Sequence, residues 1–178
     1  LAETLAVTTD DIDATSDRVG SAFRRALDID PGHALTWQHY GVWLLRRGAA
    51  DRRPMAESAL RKATELAPED ALSWYWLGRA ISRVDGRRAE AEMAFRHATD
   101  LAPDEAAYWR GLGTHLKDTN GVEAERAVRR ALALKPERSL SWSVLGEILE
   151  ACGRYQEAAE AHRRAATLDP PWEWAWLD

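Results

Sequence analysis

Hydrophobic and small side chains recur at fixed offsets from five prolines. Pro31, Pro68, Pro103, Pro136 and Pro170 are separated by 37, 35, 33 and 34 residues. Six residues after each stands a tryptophan: Trp37, Trp74, Trp109, Trp142 and Trp176. Nine, ten and thirteen residues after come Tyr40, Gly41 and Leu44; Leu77, Gly78 and Ile81; Leu112, Gly113 and Leu116; and Leu145, Gly146 and Leu149. These offsets share one face of an α-helix. Before the prolines a second set recurs. Five before stand Ala26, Ala63, Ala98, Ala131 and Ala165, and eight before stand Phe23, Leu60, Phe95, Val128 and His162. Twelve before stand Val19, Ala56, Ala91, Ala124 and Ala158, which completes one face of a second helix. A helical glycine costs about 1 kcal/mol relative to alanine. Four in register therefore imply a place where two helices cross closely. Gly48, Gly86, Gly121 and Gly153 stand between the two helices of each pair, and a left-handed helix end is expected at each. Each proline closes a pair, because the residue before it is pushed out of helical geometry.

The pattern Trp-x2-Leu-Gly, followed by Ala, a large residue, Ala and Pro in about 34 residues, resembles the tetratricopeptide repeat. Its clearest copy is Ser141–Pro170, and His162 departs from it by standing at a large apolar position. The resemblance implies an all-α fold, a right-handed α-solenoid of antiparallel helix pairs stacked on their neighbours. The expected organisation is a flexible acidic segment at 1–15 followed by one array over 16–178. Its units are 34–67, 71–102, 105–135 and 139–169, with half-units at 16–30 and 171–178. The five repeated tryptophans are expected to serve packing between helices, with Trp43 and Trp76 filling gaps between neighbouring pairs. Trp172 and Trp174 have no repeat role. With Trp176 they exceed what one short turn buries, so the expectation is an excised or proteolysed segment, or an end that packs on a partner.

Charge narrows the function classes. The net charge is −5, and residues 1–17 carry five acids and no Lys or Arg, so the remainder is formally neutral. A neutral body lacks the net basic footprint of a phosphate-tracking protein, which disfavours nucleic acid, including RNA-reading helical repeats. No apolar run reaches the roughly 18 residues of a membrane span. A single Cys152 excludes an internal disulfide framework. The Arg- and Ala-rich composition points to a bacterial protein, in the cytoplasm or, after processing, the periplasm.

No constellation reads as catalytic. His33, His39, His97, His115 and His162 have no metal-ligand spacing, Gly111–Gly113 lies inside a predicted helix, and no serine stands in a GxSxG elbow. The expectation is a noncatalytic protein without metal or cofactor.

What the resemblance then implies is a groove lined by the first helices. Its residues would be those at +4, +7, +11 and +14/+15 from each proline. They read Leu35, Gln38, Val42, Leu45 and Arg46; Leu72, Tyr75, Arg79, Ser82 and Arg83; Ala107, Arg110, Thr114, Lys117 and Asp118; and Leu140, Ser143, Glu147, Glu150 and Ala151. The centre is basic. Arg79, Arg83, Arg110 and Lys117 suit an acidic side chain or a C-terminal carboxylate, and Tyr75 adds an amphipathic contact. Relatives that clamp chaperone tails use Lys and Asn where this chain has Gln38 and Val42, which disfavours that ligand. The basic turn Arg46, Arg47, Arg52 and Arg53 is a second candidate surface, and the acidic start a candidate tail for it or for the groove.

The leading expectation is a scaffold that binds a protein or peptide in the groove. The alternative is a regulatory or targeting segment of a larger protein, such as a glycosyl- or sulfotransferase. Self-association through the Trp-rich end is a further expectation.

Overall fold

The structure is a computed structural model that describes residues 9–47 and 52–168, with side chains from residue 18 onward. The described residues form nine helices and no strand. The expected half-unit at 171–178, Gly48, Asp51 and the tryptophans beyond residue 170 lie outside them. The chain divides into two compact units, Leu1–Pro68 and Glu69–Asp178.

The first unit holds α1 (Thr9–Ile29), α2 (Ala34–Arg46) and α3 (Arg53–Leu66). α1 begins earlier than the repeat signature, which marks only positions packed on a neighbour. α2 opens with His33, whose Nδ1 accepts the Thr36 N–H at 3.3 Å. The core is Leu27, Tyr40, Leu44, Ala56 and Ala59, with Phe23, Trp37, Trp43 and Leu45 packed against it. Trp43 packs between α1 and the helix pair that follows it. Its ring lies against Gly20, 6.1 Å from the Phe23 ring, and Arg47 and Arg52 stand over it at 5.8 and 6.0 Å. Two arginines of the expected basic turn thus cover an aromatic ring.

The second unit is three antiparallel pairs: α4 (Ala71–Ile81) with α5 (Arg88–Leu101), α6 (Ala106–Leu116) with α7 (Gly121–Leu134), and α8 (Ser139–Ala151) with α9 (Tyr155–Leu168). α5 packs on α6 and α7 on α8, and the first helices also touch, α4 on α6 and α6 on α8. The core runs through Phe95, Leu112, Leu116, Val128, Leu145, Ile148 and Leu149.

The glycines ten residues after the prolines do meet a partner helix. A Cβ at Gly41, Gly78, Gly113 or Gly146 would stand 2.6, 3.1, 2.4 or 2.5 Å from the residue eight before the next proline: Leu60, Phe95, Val128 or His162. His162 therefore fills the large apolar position with its ring, and its Nε2 reaches Glu150 Oε1 at 3.3 Å. Gly86 and Gly153 take left-handed φ values of +77° and +74°. Gly121 does not. It is the first residue of α7, because Asn120 caps that helix by accepting the Glu123 N–H at 3.2 Å.

The repeated tryptophans do more than fill space. Trp37, Trp109 and Trp142 are only half-buried, and each indole N–H donates to the carbonyl of the proline six residues earlier, at 2.9, 2.8 and 2.8 Å. Phenylalanine offers no such donor.

Candidate functional site

The first helices of the second unit bring one face together from α4, α6 and α8. Residues at +4 and +11 are two turns apart and share a side of their helix. At +4 the face is apolar: Leu72 is 38% exposed, Ala107 half-buried and Leu140 62% exposed. At +11 stand the exposed Arg79, Thr114 and Glu147.

Tyr75 departs from the expected groove. It is only 8% exposed and belongs to the core, its ring 5.0 Å from Tyr108 and 5.9 Å from Phe95. The reason is on the neighbouring helix, where Gly111 leaves the ring room: a Cβ there would stand 2.6 Å from Tyr75 Cε2. In the first unit Gln38 is likewise buried, 3% exposed, and Val42 is half-buried. None of these three supplies an exposed groove surface.

The Tyr75–Gly111 contact joins α4 to α6, with Arg79 one turn beyond Tyr75 on α4 and Arg110 next to Gly111 in sequence on α6. The Arg79 guanidinium stacks over Trp76, 4.5 Å from the ring centroid, and lies 5.9 Å from that of Tyr75. Stacking fixes the plane of the group and leaves its N–H edge available. Sequence reading did not assign Trp76 this role, although the i, i+3 spacing to Arg79 was the signal. Arg110 is half-buried, and Arg83 is exposed at the end of α4.

The fourth cation is neutralised. Lys117 Nζ donates to Glu147 Oε2 at 2.5 Å, which joins α6 to α8 and pushes the lysine pKa up. Arg79, Arg83 and Arg110 have no acidic partner among the described residues. The second helices differ. Arg96 binds Glu92 and Glu123, linking α5 to α7, while Glu125 binds Arg129 and Arg154, the latter also paired with Glu157 of α9. Several arginines of the second helices are thus paired in place, while Arg126, Arg163 and Arg164 on those helices, like Arg79 and Arg110 on the first helices, make no ion pair among the described residues.

Other chemistry is sparse. The described residues include no group of three or more His, Cys, Asp and Glu suited to a metal ion. Cys152 is exposed. No described helix is long and apolar enough to cross a membrane.

Antiparallel pairs with a tryptophan tied to each turn, and a glycine of one helix against a large residue of the other, recur in register along the chain. Residues 114–171 match the family model for the tetratricopeptide repeat. The segment 114–171 is therefore of the tetratricopeptide repeat type, and the helix pairs before it carry the same pattern. The chain's fold class is accordingly the all-α helical-repeat solenoid.

Solved tetratricopeptide-like structures resemble it over most of its length. The crystal structure of MamA is similar at 23% identity and a TM-score of 0.74, covering 91% of this chain and 95% of that one. A MamA structure from Desulfovibrio magneticus RS-1, from residue 41 to its end, is similar at 17% identity and a TM-score of 0.76, covering 92% and 88%. YrrB, described as a TPR protein with an unusual peptide-binding site, is similar at 16% identity and a TM-score of 0.70, covering 91% and 82%. No curated protein matches the sequence. In repeat terms, the face of α4, α6 and α8 is built by the first helices of three successive tetratricopeptide repeats.

Proposed function

We propose that the protein is an interaction scaffold that holds a segment of a partner protein on the face of α4, α6 and α8. An acidic side chain or C-terminal carboxylate of the partner sits at Arg79 and Arg110. The observation that carries this reading is the pair of arginines without an ion pair among the described residues, one of them 4.5 Å over the Trp76 ring. A guanidinium held over a ring gains from a carboxylate that completes its hydrogen bonds, and charge-assisted pairs of this kind are roughly twice as strong as neutral ones. The tetratricopeptide fold and the peptide-binding site named for YrrB support the same reading.

The test is affinity capture from a lysate with wild type and with Arg79→Glu/Arg110→Glu. The expected result is specific prey retained by wild type and lost by the variant, whose circular dichroism spectrum stays helical. Prey captured equally by both would overturn the proposal.

A further inference from the structure

Two stripes cross the face of α4, α6 and α8. The first is apolar and runs through Leu72, Ala107 and Leu140, one residue from each helix. The outer two lie two helix spacings apart, about 16–20 Å at the usual 8–10 Å between packed helices. The second is cationic: Arg79 on α4 and, one turn beyond Ala107, the half-buried Arg110 on α6. On α4 it lies seven residues beyond Leu72, about 10 Å along the axis at 1.5 Å per residue. Two exposed leucines on the outer helices, with the small Ala107 between them on α6, leave an apolar line beside the charge.

We infer that the occupant of this face is an amphipathic helix with an acidic flank, lying across α4, α6 and α8. This rests on the preceding proposal and specifies its ligand. The dimensions decide the form. A helix with its side chains is about 10–12 Å wide, so one lying on the leucines reaches the arginine stripe with its flank. An apolar strip of about 18 Å corresponds to about twelve helical residues, with anchors at i, i+3/i+4, i+7 and i+11. Charge complementarity fixes the polarity of the flank. Lys117 is already bound to Glu147, so the facing acids belong opposite Arg79 and Arg110. Aliphatic anchors on Leu72 and Leu140 supply apolar burial, and the carboxylates set the rotation of the helix about its own axis.

The test is selection of a displayed library of random 16-residue peptides on the whole chain, followed by fluorescence anisotropy of the enriched sequences. The expected sequences carry aliphatic residues at i, i+3/i+4 and i+7, Glu or Asp along one flank, and no interior proline. Proline placed at the centre of an enriched peptide should weaken binding at least tenfold, as should Leu140→Ser or Arg79→Glu in the protein. Both substitutions are at exposed positions, and an unchanged helical spectrum confirms that they fold. Enrichment of proline-containing or non-amphipathic acidic peptides that still lose binding to Arg79→Glu/Arg110→Glu overturns this inference and leaves the scaffold reading standing. Enriched peptides indifferent to both arginines overturn both. Absence of any enrichment overturns the helical ligand, and the lysate capture then judges the scaffold reading alone.

Discussion

Arg138 occupies the position at which the other two first helices of the second unit carry an acidic cap. Asp70 accepts the Ser73 N–H at 3.1 Å and its hydroxyl at 2.5 Å, and Glu105 accepts the Ala107 N–H at 3.3 Å. Arg138 makes no side-chain cap to α8, and the buried Ser141 hydroxyl, equivalent to that of Ser73, has no hydrogen-bond partner. Arg138→Asp should therefore stabilise the protein by about 1 kcal/mol, the usual worth of a cap. A rise in the urea midpoint at unchanged slope is the expected reading, and an unchanged or lower midpoint would refute it. Ser141→Ala should be neutral or mildly stabilising in the same measurement, because it removes a buried hydroxyl that bonds to nothing.

At the scale of the element, the crossing of each pair depends on the absence of a side chain. A methyl at Gly113 would stand 2.4 Å from Val128 Cγ2 and 2.9 Å from the Ala124 carbonyl oxygen. The side chain can turn aside, but the backbone oxygen cannot without moving α7. Gly113→Ala should cost about 1–3 kcal/mol, the range for overpacking a tight core, despite the better helix propensity of alanine. Loss of stability in thermal or urea melts checks it. This glycine was legible from its spacing alone, as were the helices and the repeat, because burial of one face imposes a period that sequence displays. What was not legible depended on pairs of elements. Tyr75 reads as a groove residue from its offset, yet Gly111 on the next helix makes room for it in the core. Gly121 reads as a helix end until Asn120 is seen to cap the helix that follows. The indole-to-carbonyl bonds escaped a reading that scored tryptophan only as apolar bulk, and the Arg79–Trp76 stack escaped one that scored arginine only as charge.

At the scale of the whole molecule, carboxylates held in ion pairs make stability depend on pH. Burial raises the proton affinity of Glu105, but the Ala107 N–H, Lys135 and Arg138 outweigh it and hold the carboxyl below its ordinary 4.5. Glu157 is also lowered, by its hydrogen bonds from Arg154. Both groups bind protons more weakly in the folded chain than in the unfolded one, so the stability they supply is present above about pH 4.5 and lost as pH falls through their folded values. The urea midpoint should hold between about pH 7 and 5.5 and decline below about 4.5. Glu157→Gln should flatten that decline; an equal slope in wild type and variant would show that the pair does not contribute. The tryptophan-to-proline bonds carry a separate consequence. Each of these indoles is tethered to the turn at the head of its own pair, so its emission reports the opening of that pair and no other. A set of variants that each keep one of Trp37, Trp109 and Trp142 would turn the chain into its own spectroscopic ruler, reading the order in which its pairs unfasten.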